Sequence, residues 1–132
     1  MKNRVLIIDD EDQFRNSVKI ALKRKSVDVF EEKDGFDGLK NIIFSRETNS
    51  FYDLIIVDIL MPRVSGIDIL EYLVDEQIDV PVIVVTGFMD YDLKFFCSMI
   101  KNLSVLEKPF HQQVLVDEVV RMLNFSENGA TE

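Results

Sequence analysis

Four short apolar runs in this chain each stop at a side chain able to do chemistry. Val5-Leu6-Ile7-Ile8 runs into Asp9-Asp10, and Leu54-Ile55-Ile56-Val57 runs into Asp58. Val82-Ile83-Val84-Val85 meets Thr86, and Ser104-Val105-Leu106-Glu107 meets Lys108-Pro109. In an open parallel α/β sheet the C-terminal ends of the strands share one edge, and ligands bind in the crevice there. Residues scattered over a hundred positions would then converge into one pocket holding three carboxylates, a hydroxyl and an ammonium.

The spaces between the runs carry helical patterns. Phe14, Val18, Ala21 and Leu22 form one stripe, and Phe36, Leu39, Ile42 and Ile43 a second. Ile67, Leu70, Leu73 and Val74 form a third, Leu93, Phe96, Ile100 and Leu103 a fourth, and Val116, Val119, Val120 and Leu123 a fifth. A further strand is expected over 27–31, where the alternation of Val27 and Val29 with Asp28 reads as an edge strand. Five strand–helix units predict an α/β fold: a doubly wound, five-stranded parallel sheet with helices on both faces. Near-continuous apolar strands are what two covered faces require. Asp34 has the chemistry of an N-cap, with Asp37 three residues on. The stretch 45–52 reads as the longest polar loop.

A chain of 132 residues fits one domain, taken as 1–125, with 126–132 as a flexible C-terminal tail. A net charge of −9 argues against nucleic acid or anionic membrane as the main partner. No apolar stretch approaches the ~20 residues of a membrane span, and the basic N-terminus lacks the apolar run of a signal peptide. One cysteine, Cys97, gives neither a disulfide framework nor a thiolate zinc site. A soluble, cytoplasmic protein is expected. Cys97 is expected to pack on the fourth helix and His111 to lie at the start of the fifth.

Three carboxylates within a few ångströms repel one another, and each pKa rises unless a cation sits between them. A hard divalent ion, Mg²⁺ or Mn²⁺, suits an all-oxygen donor set. A carboxylate, a divalent ion, a lysine and a hydroxyl are the parts needed to take up a phosphoryl group.

At these residues the chain resembles the receiver domains of two-component response regulators. The likeness is carried by Asp9-Asp10, by Asp58 followed by Met61-Pro62 and Gly66, by Thr86-Gly87, and by Lys108-Pro109-Phe110. Any one of these is weak; all four, in order and at strand ends, are specific. The resemblance implies a flavodoxin-like (βα)5 fold with strand order 2-1-3-4-5. It implies Asp58 as phosphoacceptor, with Mg²⁺ or Mn²⁺ held by Asp9, Asp10, Asp58 and the backbone carbonyl of Leu60. Thr86 and Lys108 would contact the phosphoryl group, and the Lys108-Pro109 bond would be cis. The implied donor is a sensor histidine kinase or a histidine phosphotransfer protein. The face formed by the fourth helix, fifth strand and fifth helix would serve an output protein or a homodimer, with Phe95, Met99, Val105 and Phe110 as candidate residues.

Three departures from the family pattern stand out. Val105 occupies the position where receivers usually carry an aromatic that swings with the threonine. Met99 to Asn102 replace the usual small pair before the last strand, which fits either simple repacking around Val105 or an exposed partner patch. Leu60 and Phe88 replace polar residues that help orient the hydrolytic water, which predicts slow loss of the phosphoryl group. The loop 87–92 is the expected mobile element. The chain is not expected to be a turnover enzyme, since an aspartyl phosphohydrolase commonly carries a second acid where Leu60 stands. The other alternative is a receiver-like interaction module that works without phosphorylation.

Overall fold

The computed structural model describes residues 2–87, 89 and 91–131, the last seven by their backbone only. Five strands and five helices alternate: β1 (Asn3–Ile8), α1 (Asp12–Lys23), β2 (Val27–Glu32), α2 (Gly35–Glu47), β3 (Leu54–Asp58), α3 (Gly66–Asp75), β4 (Val82–Thr86), α4 (Tyr91–Met99), β5 (Leu103–Glu107) and α5 (Gln112–Thr131). The strands form one parallel sheet in the order β2-β1-β3-β4-β5. The expected doubly wound, flavodoxin-like architecture is therefore present.

The continuous apolar strands divide by parity. Val5 and Ile7 face a core built with Val18 and Leu22 of α1 and Leu115, Val116 and Val119 of α5. Leu6 and Ile8 face the other core, with Ile42 of α2, Ile69, Leu70 and Leu73 of α3, and Leu93 and Phe96 of α4. Alternate side chains of a strand point to opposite faces, so every position of an inner strand must be apolar when both faces are covered. β2 is an edge strand with only Val27 buried.

Local chemistry sets the helix starts. The Asp34 carboxylate accepts the Asp37 amide at 2.8 Å and caps α2, as expected. Ser65 and Asp68 close a full capping box at α3 that sequence reasoning missed.

Several boundaries depart from expectation. The polar stretch 45–52 begins inside a helix: α2 runs to Glu47, because Ser45 is buried and its hydroxyl bonds Asn41 and Tyr52. Leu103 belongs to β5 rather than to the stripe of α4, pairing with Val82. The tail expected over 126–132 falls in and beyond the last turns of α5, where side chains are outside the described residues. Among the described residues no helix is long and apolar enough to cross a membrane.

Candidate functional site

Asp9 follows β1 and Asp58 ends β3, so neighbouring strands bring them together across the sheet edge. Carboxylate oxygens of Asp9, Asp10 and Asp58 all lie within 4.8 Å of one another. Asp9 and Asp58 are buried and Asp10 is exposed. Lys108, just past β5, places Nζ 3.6 Å from Asp58 Oδ2 and 4.0 Å from Asp9 Oδ2. The Lys108-Pro109 peptide bond is cis, as expected.

Each buried carboxylate is held by one backbone amide. The Glu11 N–H donates to Asp9 Oδ1 at 2.8 Å, and the Leu60 N–H donates to Asp58 Oδ1 at 3.2 Å. Among the described residues Asp9 Oδ2 is buried without a hydrogen-bond partner. Burial pushes the Asp9 carboxyl up to about 6, against the Glu11 amide, and the Asp58 and Asp10 charges add to the rise. Burial also raises Asp58, opposed mainly by the Lys108 ammonium. An orphaned anionic oxygen facing two further carboxylates fits a hard divalent cation with oxygen ligands.

Gly66 belongs to this geometry. Its amide donates to the Ile59 carbonyl at 3.0 Å, and a Cβ there would stand 2.4 Å from the Asp58 carbonyl oxygen. Any larger residue would have to displace the backbone that carries Asp58.

The other expected site residues are distributed unevenly. Thr86 is buried at the end of β4, and its carbonyl accepts the Lys108 amide at 2.7 Å. By strand parity Thr86 is in phase with Val84 and so belongs to the α4 side, as does Val105, which is half-buried against the same core. Leu60 has 60% of its surface exposed at the pocket mouth. Phe88 lies outside the described residues.

The four candidate partner-face residues are not brought together. Phe95 and Met99 are exposed on α4, in one stripe with Tyr91. Phe110 turns instead to the α1–α5 layer, meeting Phe14 edge-on with ring centres 6.3 Å apart. Cys97, expected to pack, is exposed, because Leu93 and Phe96 supply the buried face of this short helix.

Sequence reasoning missed Arg15. It lies on the buried side of α1 with Val18 and Leu22. One guanidinium nitrogen donates to the Asp9 carbonyl oxygen at 2.6 Å, Nε donates to Glu31 at 2.9 Å, and a third nitrogen pairs with Asp12. Glu31 also pairs with Lys19, and Lys19 and Arg15 together hold its carboxyl below the usual range. An arginine at i of an i, i+3, i+7 buried set is a signal available in sequence, since a long cation is not buried without acceptors.

Comparison with known proteins agrees with this geometry. A family model for the response regulator receiver domain matches residues 5–120, and the chain belongs to that family. The response regulator receiver protein CpdR of Brucella abortus is 27% identical over 120 residues, covering 91% of this chain and 96% of that protein. The cell cycle transcriptional regulator CtrA of Caulobacter vibrioides is 27% identical over 128 residues, covering 96% of this chain and 53% of that protein. The chain thus spans about half the length of CtrA. Among solved structures, the Francisella response regulator 1452 receiver domain superposes with a TM-score of 0.78 at 26% identity, covering 95% of this chain and 99% of that one. A receiver domain protein from Clostridium thermocellum gives 0.76 at 28%, covering 95% and 97%. Receiver domains are signalling domains rather than turnover enzymes, and the family is that of two-component signalling.

Proposed function

We propose that this chain is a phosphorylation-controlled switch that takes up a phosphoryl group on Asp58. The observation that carries this reading is the Lys108 ammonium set between Asp58 and Asp9, 3.6 and 4.0 Å away, beside three clustered carboxylates. Asp9, Asp10, Asp58 and the Leu60 carbonyl would hold Mg²⁺ or Mn²⁺. When bound, the ion supplies positive charge against the phosphoryl oxygens.

An oxygen of the Asp58 carboxylate attacks phosphorus in a phosphohistidine of a sensor kinase or phosphotransfer protein. The new P–O bond forms as the P–N bond breaks, and the histidine nitrogen keeps the electron pair. Lys108 pairs with the transferred group and the Thr86 hydroxyl donates to it. Positioning and charge neutralisation carry the catalysis. The acyl phosphate carries about −1.5 to −2 where the carboxylate carried −1, and that charge with its three acceptor oxygens biases the β4–α4 side. Moving that equilibrium from 1:99 to 99:1 requires about 5.5 kcal/mol of differential contact. The α4–β5–α5 face then meets an output protein or a second copy. Leu60 at the mouth offers no hydrogen bond to a hydrolytic water, so the acyl phosphate is long-lived.

Incubation with acetyl phosphate and Mg²⁺, followed by intact mass, tests this reading. Gain of one phosphoryl group, abolished by EDTA and decaying faster in Leu60→Gln, is expected. Folded, Mg²⁺-binding protein that gains nothing would contradict it. The exposed stripe Tyr91, Phe95 and Met99 favours a second reading, an interaction module that works without phosphorylation.

A further inference from the structure

The main chain of Asp9 is gripped from two directions. Its amide donates to the Glu32 carbonyl at 3.2 Å, and its carbonyl accepts from Arg15 at 2.6 Å. Its side chain accepts the Glu11 amide at 2.8 Å. These bonds leave Asp9 Oδ2 pointing at Asp58 and Lys108 with no hydrogen bond of its own. Arg15 is 8% exposed, and its fork is anchored at the far side by Glu31 on β2 and by Asp12 in the first turn of α1. The charges that act on the Asp9 carboxyl are those of Asp58, Lys108 and Asp10. Arg15 acts on Asp9 through its backbone carbonyl.

We infer that Arg15 is a positioning residue for the cation pocket: its three-point clamp on Asp9, Glu31 and Asp12 holds the 9–11 turn so that the acidic pair is preset for a divalent ion. The inference rests on the proposed metal-dependent reading of the pocket. Its content is geometric. A lysine keeps the charge and loses the planar fork, so it does not replace Arg15. Outer-shell partners of metal ligands commonly change metal affinity by 10–100-fold when removed.

The test uses the whole chain with Mg²⁺ alone as probe. Arg15→Met and Arg15→Lys are each expected to weaken Mg²⁺ binding by about tenfold or more. Ile42→Val, a core change remote from the pocket, lowers stability and is expected to leave Mg²⁺ affinity as in the parent. Glu31→Ala, which removes one anchor, keeps the measurement available if the Arg15 variants do not fold, and it should weaken binding in the same direction. A second readout needs no metal: hydrogen exchange at the Glu11 amide should accelerate in Arg15→Met relative to the amides of β3. Mg²⁺ affinity within twofold of the parent in Arg15→Met, or full rescue by Arg15→Lys, would overturn the clamp. A parent that binds no Mg²⁺ while Glu11 exchange still depends on Arg15 would sink the metal reading and leave the clamp standing.

Discussion

The two faces of the sheet meet the functional edge differently. On the α1–α5 side the pocket is charged and held: Asp9 is bonded through its amide, carbonyl and carboxylate, Lys108 stands between two acids, and Arg15 ties the turn to β2. On the α4 side stand a hydroxyl, Thr86, and a half-buried valine, Val105, under a nine-residue helix that leaves Tyr91, Phe95 and Met99 in solvent. The glycines repeat the contrast. A Cβ on Gly66 would meet backbone at 2.4 Å, whereas one on Gly87 would have nothing among the described residues within 4 Å. One side therefore presents preset chemistry, and the other has room to answer it. On the proposed reading, binding and response are divided between opposite faces of one strand edge.

The largest expected effect is on the held side. Gly66→Ala drives a methyl into the Asp58 carbonyl, and overpacking against backbone costs about 3 kcal/mol or more. Urea denaturation should show that loss, together with loss of Mg²⁺ binding.

Next comes Asp9→Asn in the presence of EDTA. The Asp9 carboxyl is raised from 3.8 to about 6, so the native state binds the extra proton between those values and stability falls as pH rises through that window. Below pH 3.8 both states are protonated and the penalty is absent. Above about pH 6 the penalty is complete, so Asp9→Asn should stabilise the metal-free protein by about 3 kcal/mol at pH 8 and by almost nothing at pH 3.5. For the same reason Mg²⁺ should bind more weakly as pH drops below about 6, where the proton competes for the pocket.

On the answering side the effects shrink. Val105→Ala should cost about 1 kcal/mol, in keeping with a partly buried branched side chain, and leave the rate of phosphoryl uptake unchanged. A fall in that rate would make Val105 part of the chemistry and dissolve the contrast. Gly87→Ala is the smallest: with no described residue in the way and no left-handed φ, it should raise stability by about 0.4–1 kcal/mol through the unfolded chain.

What was legible in sequence follows from the same physics. Strand ends were readable because inner strands must be apolar at every position, so Asp9, Asp58, Thr86 and Lys108 mark the places where the apolar runs stop. The edge character of β2 was readable from Asp28. Arg15 was not read, because its burial depends on acceptors supplied by Asp9, Asp12 and Glu31, and only Asp12 lies on the same helix. Phe110 and Cys97 were misplaced because an apolar residue near a helix start, or on a short helix, has two faces within reach, and only packing decides between them.

In the proposed function, strand-end residues converge so that Asp58 is the group phosphorylated. It is tested most directly by treating the parent and Asp58→Asn with acetyl phosphate and Mg²⁺ and locating the phosphoryl group by peptide mass. One phosphoryl group is expected on the peptide containing Asp58, and none in Asp58→Asn. Equal incorporation in both, or a group found on another residue, would contradict it.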